Sequence, residues 1–208
     1  MDAYKNTIDS TRKITNLHYS PRVDETKENY DILDWADKEA QFKRFHVLSE
    51  NINLSNKTVL DVGCGLGDLY RHLQAERNTP KQYTGTDLVE PMIELAKTQQ
   101  PNCEFICCDI FAEPPANRKF DVVYCSGIFN LKTEDNMHYL EFVVESVKKL
   151  LSENGKIVFN FLNERVEQQY DHCFYYSPEE VKATISKSFE KIKVIDDYLI
   201  NDFTVVAC

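Results

Sequence analysis

The residues with the clearest chemical potential lie in Val59-Leu60-Asp61-Val62-Gly63-Cys64-Gly65-Leu66-Gly67-Asp68-Leu69, where an apolar run meets three alternating glycines flanked by carboxylates. Glycine permits backbone conformations and close ligand approach that a Cβ would block. A lone Gly-x-Gly says little; one that joins a strand to a helix, preceded by an acid, marks a nucleotide-type ligand site. A dinucleotide turn would put its third glycine at position 68, but Asp68 stands there and the third glycine comes one residue earlier, at Gly67. Such a turn also rests a pyrophosphate on the helix N-terminus, an awkward neighbour for Asp61 and Asp68. Carboxylates suit instead a ligand that carries positive charge, with an ammonium and a sulfonium as the fitting groups.

Two more acids follow the next two apolar runs: Asp87 in Tyr83-Thr84-Gly85-Thr86-Asp87-Leu88 and Asp109 in Cys108-Asp109-Ile110. A carboxylate offers two acceptor oxygens to a vicinal diol, so Asp87 fits a ribose; the competing role is a cap for the helix begun at Glu90-Pro91. Over about Thr58 to Phe161 these motifs, in this order and spacing, resemble those of class I methyltransferases that use S-adenosylmethionine (SAM). The resemblance implies SAM as cofactor, with Asp61, Gly63 and Gly65 in the glycine motif and Asp87 on the ribose hydroxyls. It also implies Asp109 at the adenine amino group, Ile110 over one face of the ring, and Leu88 and Met92 on the other, aliphatic walls being what a flat base needs. Cys125 and Ser126, at the end of the fourth apolar run, would lie under the cofactor, and Asn130 would face the acceptor. Arg44, helped by Tyr19, would hold the cofactor carboxylate, although a solvated arginine on an amphipathic helix is as common.

The stretch from Asn163 to Ser177 corresponds to an insertion that shapes the acceptor pocket in this family, and it places His172 and Tyr175 among the substrate-binding candidates. An imidazole titrates near neutrality, so His172 is a candidate base, the commoner alternative being a surface histidine. The loop Ser126 to Leu131 lacks the Asn/Asp-Pro-Pro-Tyr signature of enzymes acting on amide or exocyclic amino nitrogens, so those acceptors are disfavoured. Two rivals remain: a SAM-binding sensor or partner subunit without transfer activity, and a nicotinamide enzyme, which Asp68 argues against.

The elements that must position these residues follow an alternating pattern. Apolar runs at Thr58–Val62, Gln82–Thr86, Cys103–Cys107, Phe120–Cys125 and Lys156–Phe161 read as strands, with helices at Leu66–Arg77, Pro91–Gln99 and Glu134–Leu151 between them. Asn154-Gly155 reads as the stop of the last helix, and Ser177-Pro178-Glu179-Glu180 as a capping box opening another. Glu190–Asp196 and Phe203–Ala207 are too close for a crossover and predict an antiparallel hairpin. The expected fold is therefore a Rossmann-like three-layer α/β sandwich with a seven-stranded, mostly parallel sheet. Asp34–Asn51 reads as an amphipathic helix, while residues 1–33 read as a polar, irregular extension or flap before a SAM-binding domain at 34–208.

The 208 residues carry a formal net charge of -10, which disfavours a broad nucleic-acid surface and favours a small-molecule substrate. The polar start lacks the apolar core of a signal peptide and no run is long enough to span a bilayer, so no membrane partner is expected. Seven cysteines without paired CxxC modules, most in runs that read as buried strands, suggest a reducing, cytoplasmic setting and no metal site. The sequence carries no signal for oligomeric state.

Overall fold

A computed structural model describes residues 4–35, 37–115 and 118–208. The chain opens with α1 (Lys5–Tyr19), a one-turn α2 (Asn29–Ile32) and α3 (Lys38–Asn51). Alternation then begins with β1 (Thr58–Val62), α4 (Asp68–Ala75), β2 (Gln82–Asp87), α5 (Glu90–Gln99), β3 (Glu104–Cys107) and β4 (Phe120–Cys125). It finishes with α6 (Asn136–Leu150), β5 (Leu151–Leu162), α7 (Pro178–Ser186), β6 (Ile192–Ile195) and β7 (Asp202–Ala207). The sheet order is β3-β2-β1-β4-β5-β7-β6. The first five strands run parallel, and β7 lies antiparallel to both β5 and β6. The expected α/β architecture is thus present, with β7 wedged between its hairpin partner β6 and β5.

Strand alternation builds the two apolar layers. On β4, Val122 and Tyr124 face a core with Phe45 and Leu48 of α3, Leu73 of α4 and Ile93 of α5, whereas Val123 and Cys125 face one with Val143 and Val147 of α6 and Val181 of α7. Side chains two apart share a face, so one strand serves both layers. Strand order reverses at the β1/β4 boundary, and a crevice at the carboxyl ends of such strands is where open α/β sheets bind ligands.

Several expectations need correction. The opening segment, expected to be irregular, is helical from Lys5 to Tyr19. Its Tyr4, Ile8, Thr11, Thr15 and Tyr19 recur at helical spacing, but threonine and tyrosine on an otherwise polar segment hide that stripe from a hydrophobicity reading. Asn154-Gly155 does not stop α6: the helix ends at Leu150, and the pair sits in β5 where the register against β4 shifts between Phe120 and Val122. Ser177 precedes α7 with Pro178 in the first turn, yet its side chain makes no capping hydrogen bond. Only Cys64 and Cys125 of the seven cysteines are buried, and Cys107 and Cys208 are exposed.

One long-range tie joins the α3 layer to the far side of the sheet. Arg44, 3% exposed, pairs with Asp202, 0% exposed, across 158 positions in sequence. Burial pushes the Asp202 carboxyl upward and the adjacent guanidinium opposes that shift. Removing one member strands the other charge in a dry site. Asp202→Ala is expected to lower unfolding free energy in a urea titration by about 3–5 kcal/mol, whereas the double change Arg44→Met with Asp202→Leu should be near neutral.

Candidate active site

The cleft at the β1/β4 boundary is built first by the backbone. Gly63 and Gly65 adopt φ of 72° and 52°, and a Cβ on Gly63 would stand 2.3 Å from Ile128 Cγ2. The Gly63 and Cys64 amides both donate to the Thr86 carbonyl, locking the turn onto the end of β2. The Gly65 amide donates to Asp87 Oδ2 and the Val89 amide to Asp87 Oδ1, each at 2.9 Å. Each oxygen of Asp87 therefore keeps lone-pair capacity for a ligand.

Around this turn, Asp61, Asp68, Asp87 and Asp109 line one cavity, with Arg12 as the cation in its wall. Tyr83 donates to Asp61, and Asp68 accepts from Asn29, Gln41 and Arg71. Desolvation pushes Asp61 up to about 7, the Tyr83 bond opposing and the Asp87 charge reinforcing the rise. Burial also raises Asp87 despite its backbone bonds. The cavity continues over Leu88, Met92 and Ile110, apolar walls suited to a planar ring, and under Ser126.

A second chamber shares Tyr19, Trp35 and Leu131 with the first and extends to Arg44, Asn130, Tyr170 and Tyr175. Its wall is the 163–177 segment, which pairs with the loop after β4: the Lys132 amide donates to the His172 carbonyl and the Phe174 amide to the Asn130 carbonyl, each at 2.8 Å. Above lies a polar latch. His18 and His172 place Nε2 at 3.0 and 3.3 Å from Asp34 Oδ2, while Arg22 bonds Oδ1 of the same carboxylate. This joins the end of α1 to the 163–177 segment.

The structure brings Tyr19, Asp61, Gly63, Gly65, Asp87, Leu88, Met92, Asp109, Ile110 and Ser126 to the first cavity, and Asn130 and Tyr175 to the second. Three expected placements change. Cys125 sits in the α6-side core and is absent from the cavity lining, because alternation along β4 turns it there. Arg44 lies in the second chamber, held by Asp202 and stacked with its guanidinium carbon 3.8 Å from the Trp35 ring centre. A guanidinium already matched by a buried carboxylate has little charge left for a cofactor carboxylate. His172 is exposed and bound into the latch, outside the linings of both chambers.

Asp109 combines two roles: Oδ1 accepts the Phe111 and Ala112 amides, and Oδ2 accepts Arg12. Sequence reasoning missed Arg12, Thr11, Gln41 and Trp35, all in the cavity wall. Thr11 lies on the hidden stripe of α1 and Arg12 beside it, four residues after Ile8, so that spacing is the signal for both.

The geometry fits SAM on grounds of charge: a cavity lined by Asp61, Asp68, Asp87 and Asp109 is poor for pyrophosphate and good for a ligand with ammonium and sulfonium groups. The profile of a family described as a methyltransferase domain matches residues 53–202, well over half the chain. The chain belongs to that methyltransferase family. Curated relatives include ubiquinone biosynthesis O-methyltransferases of Coxiella burnetii, 27% identical over 142 residues covering 62% of this methyltransferase and 57% of the relative, and of Pseudomonas fluorescens, 29% identical over 143 residues covering 62% and 58%. The match therefore spans under two thirds of those relatives. In fold, this methyltransferase superimposes on DhpI in complex with SAH with a TM-score of 0.73, at 19% identity over 96% of this chain and 97% of that one. The magnesium protoporphyrin IX methyltransferase from Synechocystis PCC 6803 gives 0.67, at 13% identity over 95% and 98%. SAM is the cofactor of the class.

Two measurements check the cavity. Asp87→Ala should weaken SAM binding more than tenfold, read by calorimetry, while circular dichroism stays native; unchanged affinity would remove Asp87 from the site. For pH, a bound cation favours ionised Asp61, so below about 7 SAM binding must expel the Asp61 proton. SAM affinity should thus fall as pH drops from about 7 toward 5.5, with proton release seen in buffers of different ionisation heat.

Proposed function

We propose that this chain transfers the SAM methyl group to an oxygen of a small, planar acceptor seated in the second chamber. The observation that carries this reading is the junction of an acid-lined cofactor cavity with a chamber walled by Tyr19, Trp35, Tyr170 and Tyr175. Aromatic walls favour a flat apolar body. Arg44 Nε and Nη1, which are donors, and Asn130 Oδ1, an acceptor, are buried without hydrogen-bond partners among the described residues, and together they favour a ligand oxygen that accepts from Arg44 and a hydroxyl that donates to Asn130. Because Asp202 neutralises Arg44, a carbonyl or hydroxyl suits this wall better than a full negative charge. The relatives named O-methyltransferases support oxygen as the accepting atom.

When bound, SAM supplies an electrophilic methyl group on a sulfonium. The roles proposed for the chain are positional: Asp87 fixes the ribose, Asp61 the ammonium group, and Asp109 with Ile110, Leu88 and Met92 the adenine. The α1 segment lines the first chamber through Ile8, Thr11, Arg12 and Thr15 and reaches both through Tyr19, where it would shield the reacting groups. Alignment of two reactants accounts for large accelerations without a dedicated base, so the displacement of His172 into the latch removes nothing the reaction requires. No described helix is long and apolar enough to cross a membrane, and the proposed setting is the cytoplasm.

The test is SAH release with a panel of phenolic and enolic small molecules. Turnover on at least one is expected, and Asn130→Ala should raise the acceptor KM about 3–10-fold with SAM affinity unchanged, as for loss of one hydrogen bond. Tight SAM binding with no turnover on any acceptor would favour a SAM-responsive sensor instead.

A further inference from the structure

The face of α3 and α4 away from both chambers carries a second concentration of ligating groups. Each helix presents a histidine followed by a glutamate four residues on, His46 and Glu50 on α3 and His72 and Glu76 at the end of α4. Residues spaced by four share a helix face, and these two helices pack side by side, with Phe42 and Phe45 of α3 flanking the His72 ring at 5.4 and 5.7 Å. Ligand atoms of His46, His72 and Glu76 lie within 4.8 Å of one another.

We propose that His46, His72 and Glu76 bind one divalent transition-metal ion, such as zinc, that clips α3 to α4. His72 is 7% exposed, and its Nε2 is buried with no hydrogen-bond partner among the described residues. A buried imidazole with an unmet nitrogen is costly unless something binds it. His46 and Glu76 are exposed, so one buried ligand is met by two on the surface. Bonds of about 2.0–2.1 Å require ligand atoms roughly 3.3 Å apart, a modest contraction from the present spacing.

Charge also favours the site. Glu76 contributes one negative charge, and Glu50, 3.3 Å from His46 Nε2, adds a second beside it or completes the shell. Two neighbouring cations are engaged elsewhere, Lys43 with Glu39 and Arg71 with Asp68. The His18, Asp34 and His172 cluster differs on this point, because its carboxylate already accepts from Arg22. Imidazole with carboxylate selects zinc, cobalt, nickel or copper over magnesium or calcium. The N-terminal ends of α3 and α4 meet at the cofactor cavity through Gln41 and Asp68, so the clip would brace the floor of that cavity from behind.

The test uses the full chain stripped with EDTA and titrated with Co2+, read by calorimetry and by visible absorption, where thiolate ligation would show a separate charge-transfer band. One equivalent should bind without that band, at least tenfold more weakly in His46→Ala and in Glu76→Gln and unchanged in His172→Ala. Both altered side chains are exposed, so the variants keep the fold. At a hundredfold excess over the dissociation constant, the ion should favour the folded state about a hundredfold, a rise in Tm of several degrees. Absence of binding, binding through thiolate, or wild-type binding in both variants would overturn the proposal.

Discussion

Carboxylates that have lost their water govern this structure. The parallel strands β1, β2 and β3 end at one crevice, and the acids at or just past those ends, Asp61, Asp87 and Asp109, converge with Asp68 of α4 on a single cavity. Burial is the main reason that Asp61 rises to about 7, and the Asp87 charge adds to it. The glycine turn serves this cluster: without a Cβ the backbone reaches Asp87 and donates to it, while Tyr83, Gln41 and Asn29 satisfy Asp61 and Asp68. A cationic ligand is the natural completion, and the methyltransferase family uses one.

The remainder of the molecule positions and covers that cavity. Helix α1 brings Arg12 onto Asp109 and Tyr19 between the chambers, and the latch at Asp34 ties the end of α1 to the segment after β5. Asp34 holds this position at a positive φ of 60°, a conformation that non-glycine residues adopt at some cost and that clusters at functional segments. The Arg44–Asp202 pair then fixes the back wall of the second chamber by linking α3 to β7. Helix α1 and the 163–177 segment therefore both contribute to the walls of the two chambers.

Much of this was legible in the sequence because it is local. Strand-turn-helix patterning located β1 to β5; Asp61 and Asp87 stand out beside the glycine turn and at the next strand end, while Asp109 was marked by the family resemblance. What escaped depends on distance or on amphipathic side chains. Arg44 reads as a grip for the cofactor carboxylate or a solvated surface arginine until Asp202, far along the chain, comes beside it. Cys125 and Ser126 are adjacent, yet alternation sends only Ser126 to the cavity, a distinction that requires knowing which sheet face the cleft opens on. Helix α1 buries threonine and tyrosine against the cofactor cavity, so its stripe is weak by hydrophobicity although its spacing is regular.

The most direct test of the cationic-ligand account is a paired calorimetric titration of the intact chain with SAM and with NAD. The account predicts a saturable one-to-one binding heat with SAM and none with NAD, since the acidic cavity rejects a pyrophosphate. Binding of NAD with no binding of SAM would contradict it.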